Sequence, residues 1–313
     1  MREFEKTRLE RRRFLALGLA ACLVGPATAE DDCRMRRLAK LPMQTSRGMV
    51  VVQNALGDKP LNMLLDTGAY YTCFSESKVA ELGMAIETRP DNGVFLYGGT
   101  PLRRVVSTAD FRIGAITTPR YSYPLMPPER LPDGVDGLLG GDFLGNFDLD
   151  IDFAGGMVNL FSKEHCPGRV GYWTTEKLEP IALQRQDDRV HICTHVTLDG
   201  EDVRALIDTG ASLSTLSLGH ARRLFGIADT DPRLTEDTRF RDLQGCRHFP
   251  FKQMHFGHVS VEAPDIVLVP ERESQMGPDP EPMILGLTVL RKLHVYIAYR
   301  ENNLYVTAAD VHG

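Results

Sequence analysis

Between Phe147 and Phe153 the chain alternates without a break: Phe147, Leu149, Ile151 and Phe153 are apolar, and Asp148, Asp150 and Asp152 separate them. A period of two is the mark of a β-strand with one buried face. The pattern recurs. At an offset of 146, LLGGDFLGNFDLDIDF (138 to 153) lies on ILGLTVLRKLHVYIAY (284 to 299) without a gap, and the four apolar positions fall on Leu293, Val295, Ile297 and Tyr299. At an offset of 142, VVVQNALGDKPLNMLLDTGA (50 to 69) lies on ICTHVTLDGEDVRALIDTGA (192 to 211), so that Leu56 meets Leu198, Leu61 meets Val203, Leu64 meets Leu206 and Leu65 meets Ile207. Each copy reads as two short strands joined by a turn, Gly57-Asp58 in one and Asp199-Gly200 in the other.

The two offsets differ by a net four residues, as expected of an internal duplication. The pattern predicts an all-β chain of two similar lobes, 45–165 and 183–311, joined by a connector at 166–182 that contains CPGRVGYWTTEKLEP. Helix is sparse. The best candidates are SESKVAELGM (75 to 84) and its counterpart SLGHARRLFGI (217 to 227), each with Ser at its start and Gly near its end.

Composition changes this picture only at the N-terminus. Across 313 residues, 42% hydrophobic and 25% charged is ordinary for a globular chain. Residues 1–29 differ: ERRRF at 10 to 14, the apolar run FLALGLAACLVG, then Pro26 and Ala27-Thr28-Ala29. This is the layout of an export signal, too short to span a bilayer, and Arg11-Arg12-Arg13-Phe14-Leu15 is similar to its twin-arginine form. Cleavage after Ala29 is expected, with lipid anchoring at Cys22, within Leu19-Ala20-Ala21-Cys22, as the other possibility. Residues 30–44 read as an N-terminal tail or short pro-segment. Without residues 1–29 the chain keeps 30 Lys and Arg against 39 Asp and Glu. That acidic balance disfavours nucleic acid and anionic membrane surfaces as partners. Five cysteines then remain, Cys33, Cys73, Cys166, Cys193 and Cys246, an odd number that excludes a disulfide scaffold.

The candidate chemistry lies where the repeated strands end. LLDTGAYYT (64 to 72) and LIDTGASLS (206 to 214) each place Asp-Thr-Gly-Ala directly after two branched aliphatics. Later in each copy comes an apolar-apolar-Gly triplet, Leu138-Leu139-Gly140 and Ile284-Leu285-Gly286. A duplicated β lobe with these motifs resembles the pepsin and retropepsin superfamily of aspartic proteases, and most closely the bacterial retropepsin-like proteins. The resemblance implies a bilobal acid-protease fold, two β-barrel-like lobes with a cleft between them, in which Asp66 and Asp208 face each other as the catalytic pair. It implies that Thr67 and Thr209 bond across to the opposite loop, while Gly68 and Gly210 let the backbone turn tightly beside the carboxyls. It also implies a substrate-covering flap at Tyr97, Gly98 and Gly99, and the 146 offset puts Gly99 on Gly245, with Gln244 beside it. Two carboxylates in one site hold a proton between them, so that one oxygen takes a proton from water while the other carboxyl hydrogen-bonds the scissile carbonyl. The expected function is peptide-bond hydrolysis by a monomer acting on polypeptide, with no cofactor and no metal. Two rivals are a catalytically silent peptide-binding protein of the same fold and a metal-dependent periplasmic hydrolase.

Other clusters are weaker. Asp148, Asp150 and Asp152 line one strand face, with no Gly turn to fold them round an ion. His191, Cys193 and His195 read as a solvated strand face, and Cys246, His248, His255 and His258 match no common zinc spacing. Tyr70 departs from the small polar residues usual two places after the motif Gly. Trp173 is expected to pack between the lobes.

Overall fold

The computed structural model describes residues 34–90, 93–96, 100–184, 191–240, 243–270 and 282–309. The export-signal stretch 1–29, Cys22 included, lies outside them. Six antiparallel strands form the sheet that joins the two halves, in the order Ile181–Ala182, Asn303–Ala308, Leu293–Ala298, Asp148–Asp152, Met157–Phe161 and Arg37–Ser46. Residues 37–44 of the stretch read as tail or pro-segment thus belong to a strand of this sheet. The two strands that alternate in the sequence are its central pair, and Asp150 lies opposite Tyr296. Those positions are equivalent under the 146 offset, so a pseudo-twofold axis passes between them.

From this sheet the chain enters each lobe through the same supersecondary unit. Met49–Leu56 and Lys59–Leu65 form a hairpin, and Lys59–Leu65 takes Gly137–Leu139 as a parallel neighbour, which pairs in turn with Cys73–Ser75. In the second lobe Cys193–Leu198, Glu201–Ile207, Met283–Leu285 and Ser214–Ser217 repeat the arrangement. The parallel neighbour makes each carboxylate-bearing strand central, which is why Leu61, Met63 and Leu65, and Val203, Ala205 and Ile207, are all buried. Helices are short: Glu76–Glu81 and Leu218–Phe225 occupy the predicted stretches, and Gly141–Leu144 and Leu287–Leu290 follow the two Gly triplets. Ser217 caps its helix by accepting from the His220 amide, and Gly226 ends it at φ 64°. Among the described residues no helix is long and apolar enough to cross a membrane.

The alternation at 147–153 predicts one buried face, but the sheet is buried on both. Its inner positions, Leu149, Ile151, Val295 and Ile297, join the main core. Its outer face is covered by the connector, whose Val170, Trp173 and Leu178 pack with Phe161, Tyr296 and Tyr305. Asp148 and Asp150 on that face are fully buried. Asp150 accepts from His294 Nε2 at 2.7 Å, Asn159 Nδ2 at 2.8 Å and the Tyr172 hydroxyl at 2.7 Å, and Asp148 pairs with His165. Trp173 stacks on His294 with ring centroids 4.5 Å apart and donates its indole N–H to Thr307. Buried carboxylates are costly unless paired and hydrogen-bonded, and these are. Cys166 in the connector is disulfide-bonded, whereas Cys73, Cys193 and Cys246 are buried thiols.

Candidate active site

The strands Lys59–Leu65 and Glu201–Ile207 end where the Asp-Thr-Gly loops begin. The Asp66 amide still donates to Leu139 O at 3.1 Å and the Asp208 amide to Leu285 O at 3.0 Å, so each carboxylate is anchored at the last rung of its ladder. The next residue of each loop crosses to the other lobe. The Thr67 hydroxyl donates to Ile207 O at 2.7 Å and accepts from the Thr209 amide at 3.1 Å. The Thr209 hydroxyl donates to Leu65 O at 2.7 Å and accepts from the Thr67 amide at 3.1 Å. Both threonines are essentially inaccessible to solvent. Four buried bonds therefore fix the loops to each other, and each satisfies a backbone group that would otherwise be stranded at a strand end.

The threonine bridge brings Asp66 and Asp208 together at the cleft floor. Each carboxyl packs against the glycine of the opposite loop, and the two are near enough that the charge of Asp208 raises Asp66. Gly68 and Gly210 close the site from either side. A methyl group on Gly68 would overlap the Asp208 carboxyl, and one on Gly210 would overlap that of Asp66, so glycine is required by close approach. Backbone amides supply the remaining bonds: Gly68 and Ala69 to Asp66 Oδ1 at 3.0 and 2.8 Å, and Gly210 to Asp208 Oδ1 at 2.8 Å. Both aspartates keep partial solvent access. Burial raises Asp66 well above the ordinary carboxyl range, with the charge of Asp208 adding to it. Burial also raises Asp208, while amide bonds pull it down.

A second pair of supports was not singled out from the sequence. Six residues after each motif Asp stands a buried hydroxyl residue. Thr72 donates to Asp142 at 2.7 Å and accepts from the Gly140 amide at 3.1 Å, and Ser214 accepts from the Gly286 amide at 3.0 Å while its own amide donates to Thr288. These contacts tie the Gly triplets to the loops. The signal was present, since Thr72 falls on Ser214 at offset 142 and Asp142 on Thr288 at offset 146.

Of the flap residues, Tyr97, Gly98 and Gly99 lie outside the described residues. The hairpin stem leading to them is described: Leu96 N–H donates to Thr100 O at 2.8 Å and Leu102 N–H to Val94 O at 2.9 Å. In the second lobe Gln244 and Gly245 form a turn before Arg247–His248, with Gly245 at φ 81°, and neither hydrogen-bonds the Asp-Thr-Gly loops. Tyr70 lies against Tyr71 at 4.5 Å and meets His191 of the other lobe edge-on at 6.2 Å, so its bulk spans the boundary between lobes. The face expected to be solvated at His191, Cys193 and His195 is not uniformly so: Cys193 is buried, and only His195 is exposed, paired with Asp202. Among the described residues no three His, Cys, Asp or Glu side chains converge as metal ligands. His255 bonds Gln253 and His258 pairs with Glu179.

A search of curated proteins found no match. Among solved structures, the chain is similar to an aspartic proteinase from Irpex lacteus, with a TM-score of 0.54 and 15% identity over 87% of this chain and 97% of that one. At that identity the likeness shows a shared fold. The family model described as aspartyl protease matches twice, over residues 52–143 and 194–289, once in each lobe and with one Asp-Thr-Gly loop in each match. The repeat seen in the sequence is thus a repeat of one family unit, and the chain belongs to the aspartyl protease family.

Proposed function

We propose that the protein is an aspartic endopeptidase in which Asp66 and Asp208 together activate a water for direct attack on a peptide carbonyl. The observation that carries this reading is the pair of neighbouring carboxyls, each packed against the other loop's glycine and held by the reciprocal Thr67 and Thr209 bonds. A protein that only binds peptides has no use for two buried, mutually repelling acids. In the singly protonated pair, one carboxylate oxygen accepts a proton from water as it attacks, and the other carboxyl donates to the carbonyl oxygen. The tetrahedral diol collapses as the pair gives a proton to the leaving amine nitrogen and takes one back from a diol hydroxyl, which becomes the carboxyl product and leaves the pair singly protonated again. The pair acts as a unit, so acid and base are not divided between the two residues. Both lobes lie in one chain, so the active form is a monomer, exported by its N-terminal signal. N-terminal sequencing of the exported protein is expected to begin at Glu30, and lipid on Cys22 would contradict this.

The test is incubation with a mixed peptide library from pH 3 to 8, with products read by mass spectrometry. Cleavage is expected at acidic pH, and its absence at every pH would remove the enzymatic reading. The alanines after each glycine add a sharper expectation. A hydroxyl at position 69 would donate to the charged form of Asp66, beside the two amides already there, and lower its pKa. Ala69→Ser should therefore move the alkaline limb of kcat/KM to lower pH. A limb that stayed in place would show that burial alone sets the pair's protonation.

A further inference from the structure

The chain carries six cysteines; Cys166 in the connector is disulfide-bonded, while Cys73, Cys193 and Cys246 remain buried thiols. The partner of Cys166 is therefore Cys22 or Cys33. Cys22 stands in the apolar run at the N-terminus. If that run is a cleaved signal, Cys22 leaves with it, and if Cys22 is a lipid anchor, its sulfur carries the lipid; neither leaves a thiol to pair. Both Cys22 and Cys33 lie outside the described residues, but the strand that leads to Cys33 lies within them. Arg37 pairs with Phe161 across an antiparallel ladder, the Ser162 amide donates to Arg36 O at 2.9 Å, and Arg36 meets Glu164 at 3.8 Å. The first strand and the segment that carries Cys166 thus run side by side towards the two cysteines. Cys33 is three residues beyond Arg36 and Cys166 four beyond Ser162, whereas Cys22 is eleven residues further off. A disulfide needs Cα atoms about 4.4–6.8 Å apart, a spacing that neighbouring antiparallel segments supply. Cys73 does not compete, because burial pushes its thiol far above the ordinary range and the thiolate is the species that exchanges.

We propose that Cys33 and Cys166 form a disulfide that staples the start of the mature chain to the connector, so that residues 30–44 stay in the folded protein and are not shed as a pro-segment. The two thiols pass two electrons and two protons to a disulfide-bearing exchange partner, whose own sulfur–sulfur bond is reduced to two thiols. That oxidant comes with an oxidising compartment, and to this extent the bond rests on the reading of residues 1–29 as an export signal. The bond closes a loop containing the whole first lobe, and long loops are where a cross-link most restricts the unfolded chain. It also fixes two parts of one sheet. The strand Arg37–Ser46 pairs with Met157–Phe161, whose Asn159 donates to Asp150, and Cys166 directly follows His165, the partner of buried Asp148. Loss of residues 30–44 would strip this edge strand of Arg37, Ala39, Lys40, Leu41 and Pro42, all of them paired with 157–161. The chain then reaches its final form by oxidation, without a second proteolytic cut.

The experiment is disulfide mapping, in which thiols are alkylated, the protein is digested, and fragments are compared by mass spectrometry with and without reduction. Two preparations are mapped. One is the protein recovered after export, and the other is the full chain, Cys22 included, purified reduced from the cytoplasm and then oxidised with glutathione disulfide. A fragment joining Cys33 to Cys166 is expected in both. A Cys22–Cys166 fragment, Cys166 alkylated in both preparations, or a mature chain that begins beyond Cys33 overturns the proposal. The Cys33–Cys166 fragment in the glutathione-treated chain alone would uphold the pairing and remove only the export reading. Thermal melts supply a second readout. Cys33→Ser, Cys166→Ser and the double variant should each melt about 5 °C or more below the parent, and by the same amount. Reductant should bring the parent down to their level and leave the variants where they are. Losses that add in the double variant, or a reductant effect shared by parent and variants, would show that the two sulfurs are not joined.

Discussion

Asp66→Asn and Asp208→Asn should each lower kcat/KM on a cleaved peptide by about 10³-fold or more, because either change removes the shared proton on which both halves of the reaction depend. The same variants should be more stable than the parent at neutral pH. In the folded chain both carboxyls are raised, so the native state holds protons that the unfolded chain releases above about pH 4. A raised carboxyl makes folding less favourable as pH climbs from its unfolded value through its folded one, and the penalty is complete above the latter. Asparagine has no proton to lose and escapes the penalty. Thermal melts should therefore show a gain for the Asn variants at pH 7 that shrinks towards zero near pH 3. Near-parental turnover in either variant would exclude the dyad mechanism. Inactive variants with no gain at pH 7 would mean that the pair is not strained by its burial.

The largest loss of stability is expected away from the cleft. Asp150→Leu removes a fully buried acceptor with three donors, and leaves His294, Asn159 and the Tyr172 hydroxyl without it beneath the connector. Leaving a buried hydrogen-bonding group without its partner costs about 1 to 3 kcal/mol, and three are left here, a loss that urea titration would resolve. Asp152→Asn is the control. Asp152 is on the same strand face but partly exposed, and its bond to the Gly155 amide survives in the amide side chain, so its change should stay within about 1 kcal/mol. Similar losses for the two variants would show that the Asp150 cluster carries no special weight.

The duplication, both Asp-Thr-Gly loops and the two longer helices were legible because each is written locally and twice. The bridge between Thr67 and Thr209 spans 142 residues and was reached only through resemblance, since nothing in either loop alone says that its hydroxyl leaves for another strand's carbonyl. The outer face of the central sheet was not legible. Alternating Asp and Leu has the same pattern whether the acids meet water or meet His294 from 144 residues away, and the covering connector has no periodicity of its own. One clue was in the alignment. At the 146 offset Asp148 falls on His294 and Asp150 on Tyr296, so one copy carries acceptors where the other carries donors.

That complementarity bears on which halves can assemble. The pseudo-twofold runs between Asp150 and Tyr296. Two first lobes joined by the same symmetry would set Asp150 against Asp150 on a buried sheet face with no His294 to meet either. Two second lobes would bury His294 twice without an acid. Only the mixed pair sets a donor against an acceptor. The central sheet thus works as a mating code: each half is built to reject its own likeness and to accept its sibling.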